Sequence, residues 1–193
     1  MNIDRYGANA APPWTGVVLA GGKSSRMGRD KASLSWKGQP LLQHMHDLLL
    51  RAGAARVVVS GDHPEYKGIP DPVPERGPIG GLAGIVENEP DGTLLIVPID
   101  MPKLSPALLR RLIDDTQPAA SLCIQGHMLP LRLKLDQRLR SVLADIAGAG
   151  PPHMRSLHCL HAALDGIDID IDARHSDQLL DSDTPEQWEA LQA

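Results

Sequence analysis

The chain has 193 residues, a formal net charge of −5, three tryptophans, two tyrosines, no phenylalanine and two cysteines. That length fits one domain, on a prior of roughly 100 to 200 residues per domain, and buries about 70% of the unfolded surface without disulfides or a structural metal. The acidic balance, with no basic stripe outside one short motif, argues against nucleic acid as a partner, and no apolar run nears the about 20 residues that span a bilayer.

The first 14 residues, MNIDRYGANAAPPW, hold an acid, an arginine and a double proline but no long apolar run. They are expected to form a flexible leader, not a signal peptide, ahead of a single domain over residues 15–193. TGVVLAGG (15–22) has the pattern of a parallel strand buried on both faces and stopped by glycines. PLLQHMHDLLLRAG (40–53) spaces Leu41, Leu42, Met45, Leu48 and Leu49 as one helical face, between a starting proline and a closing Gly53. A second strand, ARVVVSGD (55–62), a helix opened by GGLAGIVENE, a third strand, GTLLIVPID (92–100), and a helix over 105–116 with Ser105 as N-cap follow. Strand then helix, repeated, predicts an α/β fold with an open parallel sheet and ligands at the carboxyl ends of its strands. Beyond residue 119 the expected elements are strands in AASLCIQ, LPLRLKL and IDIDID, a helix in DQRLRSVLADIAGAG, and a closing helix TPEQWEALQ, whose Thr184 and Gln187 form a capping box.

The segment VVLAGGKSSRMGRDK (17–31) sets adjacent glycines and four basic side chains directly after the first strand. Backbone N–H groups exposed at such a turn form a nest for phosphate oxygens. The ATPase loop GxxxxGK[ST] does not fit, because its first glycine would fall on Val17. The dinucleotide fingerprint GxGxxG does not fit either, since Gly21 and Gly22 are adjacent and the next glycine is Gly28. Asp100 closes an apolar strand, a position that suits a carboxylate facing a site; magnesium needs only one or two such groups beside phosphate oxygens. The alternative there is a helix-capping aspartate in the DMPKLSP turn.

LAGGKSSRMGRDKASL (19–34) resembles the LAGGxSxRMGxDKxxL signature of the molybdenum cofactor guanylyltransferases, within the wider nucleotidyltransferase superfamily. GPIGGLAGI (77–85), VPIDMPKLSP (97–106) and DTPEQWEAL (183–191) resemble that family's GPLAG, PCDxPxLSP and NTPEEL segments in the same order. The resemblance implies a three-layer α/β/α, Rossmann-like, mostly parallel sheet of the nucleotide-diphospho-sugar transferase type. It implies transfer of GMP from GTP to the terminal phosphate of molybdenum-molybdopterin, with release of pyrophosphate. Arg26 and Lys31 would grip the triphosphate while Gly21 and Gly22 supply N–H donors. Asp100 would hold Mg2+ and contact the nucleotide. Leu19, Ala20 and Gly21 would lie beside the base, Ser60 would stand where the family has Asn, and Asp71 would contact the nucleotide. GTP and molybdopterin are the implied substrates, with other cofactor-biosynthesis proteins and molybdoenzyme chaperones as partners. A cytoplasmic monomer is expected.

The chain departs from the family at the pterin end. Asp181-Ser182-Asp183-Thr184-Pro185 places carboxylates where the family carries amides, and Leu129-Pro130-Leu131-Arg132-Leu133 lacks the histidine of HPxxAL. A same-fold transferase using CTP or another phosphate acceptor, such as a sugar phosphate, and a non-catalytic nucleotide-binding regulator therefore remain as alternatives. Cys123 and Cys159, without a CxxC pair, are expected to be buried reduced thiols. Asp168, Asp170 and Asp172 alternate with isoleucines but lack the turn glycine and final glutamate of a calcium loop, so a half-exposed strand with its acids outward is expected. His153, His158 and His161 have no zinc spacing.

Overall fold

The computed structural model describes residues 12–21, 30–72, 76–148 and 151–192. β1 (Trp14–Leu19) is buried at every position. It begins at Trp14, which pairs with Thr93 and is itself buried. A small antiparallel pair, β2 (Ser35–Trp36) and β3 (Gln39–Pro40), leads into helix α1 (Leu41–Arg51). In chain order there follow β4 (Arg56–Ser60), α2 (Gly77–Asn88), β5 (Gly92–Pro98), α3 (Pro106–Ile113), β6 (Ser121–Ile124), β7 (His127–Leu135), α4 (Gln137–Gly148), α5 (Leu157–Ala163), β8 (Ile167–Ile169) and α6 (Pro185–Gln192).

Six strands make one sheet in the order β4-β1-β5-β7-β6-β8. β1 pairs in parallel with β4 and β5, and β6 pairs in parallel with β8. β7 alone runs against its neighbours. Its reversal follows from a two-residue turn after β6 in which Gly126 takes a φ of 79°, a conformation open to glycine and strained for other residues. The sheet is thus mostly parallel, as expected, with one antiparallel strand inserted.

Side chains along a strand alternate between faces, so a strand covered on both sides must be apolar throughout. Val18, Leu95 and Val97 pack with α1, α3 and α6 through Leu42, Met45, Leu109 and Trp188. Val17, Leu94 and Ile96 face the other way, against α2, α4 and α5 through Leu82, Leu139 and Leu160. Helices on both faces complete the three-layer α/β/α arrangement. Ser105 caps α3 by accepting from the Leu108 N–H at 3.2 Å. No described helix is long and apolar enough to cross a membrane.

Three local readings are corrected. β8 spans only Ile167–Ile169, and Asp172 instead caps a 3-10 helix over Ala173–Leu179 by accepting from the Arg174 N–H. Asp168 is exposed as expected, and it also bonds His161 and Cys123. Cys123 is buried and reduced, its thiol pushed up to about 12 by burial and then by Asp168, whereas Cys159 is only partly buried.

Arg132 of β7 lies in the segment that lacks the family histidine. Its guanidinium donates to the carbonyls of Leu112 at 3.0 Å, Asp115 at 2.7 Å and Gln117 at 3.2 Å, closing the carboxyl end of α3 and the loop after it. Helix-end carbonyls have no intrahelical partner and need such donors. Arg132→Ala is expected to destabilise the chain by about 2 kcal/mol, read as a lower urea midpoint with an unchanged slope.

Candidate nucleotide site

The carboxyl ends of β1, β4 and β5 lie side by side, and the expected site residues gather there. The Ala20 N–H donates to the Ser60 carbonyl at 3.2 Å, and the Ile99 N–H donates to the Leu19 carbonyl at 3.2 Å. Beyond β4 the chain loops back so that Ile69 pairs beside Ser60, with the Gly61 N–H donating to the Ile69 carbonyl at 2.8 Å. That return brings Asp71 against Ser60 and Gly21. Gly61 has a φ of 116°, and a side chain on it would meet the Gly21 backbone at 3.1 Å. The two turns approach this closely because residue 61 is glycine.

A second glycine surface lies against Ser60, Pro70 and Asp71. In α2, a Cβ on Gly81 would overlap the Ser60 hydroxyl and stand 3.2 Å from Asp71 Oδ1, while one on Gly84 would stand 2.9 Å from the Pro70 carbonyl. Glycine inside a helix costs roughly 0.5–1 kcal/mol relative to alanine. The GPIGGLAG run bears that cost so that the helix can lie directly against Ser60, Pro70 and Asp71. Asp71 Oδ1 is buried with no hydrogen-bond partner. Burial raises Asp71 above the ordinary carboxylate range, opposed by the neighbouring Ser60 hydroxyl. An acceptor oxygen held out of water beside a glycine turn is a ready contact for a ligand's N–H groups.

Charge collects on the β5 side of the same edge. Asp30 accepts from the Ala32 N–H at 3.0 Å and so caps a 3-10 helix over Lys31–Ser33, which fixes Lys31 at its first position. Lys31 Nζ donates to Asp100 Oδ2 at 2.8 Å and to Asp183 Oδ1 at 3.0 Å. Lys31 is 12% exposed and Asp100 19%. Burial alone would lower the Lys31 pKa, but the bonds and charges of Asp100 and Asp183 outweigh it and hold the ammonium above its ordinary value. Asp181 is raised by burial and then by Asp100 and Asp183, against the pull of Lys31. One ammonium therefore faces three carboxylates, an excess of negative charge that suits a hard divalent cation with oxygen ligands.

Asp183 reaches this cluster from the far end of the chain because α6 is fixed at both ends. Gln187 Oε1 accepts from the N–H groups of Asp183 at 2.7 Å and Thr184 at 3.0 Å, while the Gln187 N–H donates to Thr184 Oγ1 at 3.3 Å, completing the expected capping box. Trp188 packs on Trp36 with ring centroids 5.6 Å apart, and Gln192 Nε2 donates to the Ser35 carbonyl at 2.9 Å. Ser182 is buried between the two acids, which leaves both Asp181 and Asp183 turned outward.

Of the residues singled out from sequence, Leu19, Ala20, Gly21, Ser60, Asp71, Lys31 and Asp100 share this edge of the sheet. Gly22 and Arg26 lie outside the described residues. Asp183 as a partner of Lys31, Asp30 as the cap that positions it, and Gly81 as the close neighbour of Ser60 and Asp71 were not singled out. Two signals pointed to Asp183: the capping box, which fixes the residue just ahead of α6, and its carboxylate where the family carries an amide.

The family profile described as MobA-like NTP transferase domain matches residues 16–164. A molybdenum cofactor guanylyltransferase of Xanthomonas euvesicatoria pv. vesicatoria (strain 85-10) is 48% identical over 180 residues, covering 93% of this chain and 94% of that protein. A probable molybdenum cofactor guanylyltransferase of Pyrococcus horikoshii is 32% identical, covering 67% of this chain and 72% of that protein. In fold, the chain is similar to the crystal structure of molybdopterin-guanine dinucleotide biosynthesis protein A from Archaeoglobus fulgidus, with a TM-score of 0.72 and 16% identity over 92% of this chain and 96% of that one. An α/β nucleotidyltransferase is the class that fold and site together define. Within it, the chain belongs to the MobA-like NTP transferase family.

Folding raises the Asp71 pKa, so ionising this carboxyl costs stability. The folded state is favoured below the unfolded-state pKa, and that advantage is lost as pH rises through the raised value. Asp71→Asn, which cannot ionise, is expected to match the parent chain in acid and to exceed it toward neutral pH. Thermal midpoints compared between about pH 4 and pH 7 measure the difference.

Proposed function

We propose that this protein transfers GMP from GTP to the terminal phosphate of molybdenum-molybdopterin and releases pyrophosphate. The carrying observation is the pairing, on one sheet edge, of a buried unpartnered Asp71 oxygen with a cluster in which Lys31 faces Asp100, Asp181 and Asp183. The 48% identical Xanthomonas relative, named as a molybdenum cofactor guanylyltransferase, supports the same reading.

Guanine presents two adjacent donors, N1–H and N2–H2, on its Watson–Crick edge. Adenine and cytosine offer one exocyclic donor beside a ring acceptor. A carboxylate accepts only, so Asp71 favours guanine and sets a lone pair against a lone pair for the other two. Leu19, Ala20 and Gly21 flank the base in this reading, and Ser60 reaches it through water. At the triphosphate, Gly21 and Gly22 give N–H donors while Arg26 and Lys31 give charge; a guanidinium grips two oxygens at once and an ammonium acts as a point charge.

In the reaction, an oxygen of the pterin phosphate attacks the GTP α-phosphorus. The bond from that phosphorus to the bridging oxygen breaks, and pyrophosphate carries the electron pair away. Both reactants are anions, so positioning and neutralisation dominate the barrier. The donor set fits Mg2+: Asp100 would hold it, Asp181 and Asp183 supply further negative charge, and the bound ion would supply positive charge for the leaving pyrophosphate. Lys31 moves its charge from the acids to the triphosphate as the nucleotide enters.

Lys31→Ala and Asp100→Asn are each expected to lower turnover about a hundredfold or more, measured as pyrophosphate release from GTP in magnesium with molybdopterin present. Arg26→Ala is expected to behave alike. Near-normal turnover in all three variants, or equal release from CTP, removes the proposal. Calorimetry with GTP, CTP and ATP separates base choice from chemistry, and Asp71→Asn is expected to weaken GTP binding about tenfold or more while leaving CTP binding unimproved.

A further inference from the structure

Away from the nucleotide edge, three elements of the sheet's other end bring a thiol, an imidazole and a carboxylate to one point. Cys123 stands on β6, Asp168 faces it on β8 through the parallel pairing of those strands, and His161 comes from α5. His161 Nε2 is 3.0 Å from Asp168 Oδ1, Cys123 Sγ is 3.1 Å from the same oxygen, and Sγ is 3.8 Å from Nε2. We propose that Cys123, His161 and Asp168 hold a zinc ion that ties β6, α5 and β8 together.

Geometry carries the assignment. Tetrahedral zinc, with bonds of about 2.3 Å to sulfur and about 2.0–2.2 Å to nitrogen and oxygen, sets its ligand atoms about 3.3–3.6 Å apart. All three observed separations lie within about 0.5 Å of that range. Among the described residues, these side chains form the one group of three or more histidine, cysteine or acidic residues whose ligand atoms all lie within 4.8 Å of one another. The donor set of thiolate, imidazole and carboxylate in a tetrahedral frame suits zinc over magnesium or calcium, which take oxygen ligands. Three protein ligands leave a fourth position, and it opens on the Asp168 side: Asp168 is 40% exposed and His161 11%.

The surroundings are also those of a ligand site. Zinc-bound histidines pass their other ring N–H to a fixed acceptor, and Ser121 Oγ lies 2.7 Å from His161 Nδ1, buried on the same strand as Cys123. Gly166 has no side chain where a Cβ would overlap the imidazole ring, so the ring can seat against the turn that precedes β8. In the ion-free arrangement the Cys123 thiol donates to one Asp168 oxygen, and with the imidazole protonated on Nε2 the same oxygen accepts from His161 as well. Zinc replaces both: the thiol proton leaves to solvent, and the imidazole proton shifts from Nε2 to Nδ1, where Ser121 accepts it. Thiolate and carboxylate then balance the 2+ charge.

The test is cobalt(II) titration of the purified full chain. One cobalt per chain, with thiolate-to-cobalt charge transfer and the intense visible bands of a tetrahedral ion, is expected; zinc should displace it. Cobalt at the Asp100 cluster would have oxygen ligands and no charge-transfer band, so the two sites are told apart. Cys123→Ser should abolish the charge-transfer band, and Asp168→Asn, an exposed change that spares the core, should weaken binding more than about tenfold. Ser121→Ala should weaken it about ten- to a hundredfold. Cys159→Ser should leave the spectrum unchanged. A parent chain without the charge-transfer band overturns the proposal, as does a band that survives Cys123→Ser or Asp168→Asn and vanishes with Cys159→Ser.

Discussion

The site depends on one ammonium group. Lys31 Nζ bridges Asp100 at the tip of β5 and Asp183 ahead of α6, two carboxylates that belong to opposite ends of the fold. The attraction to Asp100 helps offset the cost of holding a lysine 12% exposed, while that to Asp183, 51% exposed, is screened by water and contributes less. Without that ammonium the acids would repel one another; Asp181, raised first by burial, is raised further by Asp100 and Asp183. The arrangement is therefore stable only while positive charge is supplied. Lysine supplies it in the described structure, and in the proposed reaction a divalent ion would take over as lysine turns to the triphosphate.

The other half of the site is made by absence of side chains. Gly21, Gly61 and Gly81 let two turns and a helix approach within contact distance, so Asp71 Oδ1 is buried while the residue itself stays partly exposed. The cost falls on intrinsic helix stability in α2, where Ile79, Leu82 and Ile85 offset it by full burial in the core. Packing on one side of the helix thus underwrites openness on the other.

Much of this was legible in the sequence because it is local. The uninterrupted apolar runs of β1 and β5 required cover on both faces, and the helix starts at Ser105 and Thr184 followed from their capping chemistry. Asp100 was legible because an acid closing an apolar strand has few other uses. The antiparallel β7 was not, since its direction is set by a short turn at Gly126 and by pairing with β5, neither of which its own residues encode. The bond between Lys31 and Asp183 joins residues 152 positions apart. From sequence, Asp183 was placed near the pterin phosphate, where it would repel; the ammonium beside it changes that balance. His161 was weighed with His153 and His158, its sequence neighbours, whereas strand pairing gives it Cys123 and Asp168 instead.

The anchoring of α6 has a consequence for biogenesis. Domains generally fold from the amino terminus during synthesis, so the glycine turn, Lys31 and Asp100 are all made while Asp183 and the helix that holds it are still untranslated. A chain still on the ribosome can form most of the sheet, yet its lysine lacks one of its two acidic partners until α6 emerges and Trp188 settles on Trp36. Until α6 is in place, Lys31 therefore holds Asp100 alone, and the charge cluster closes only when Asp183 joins it.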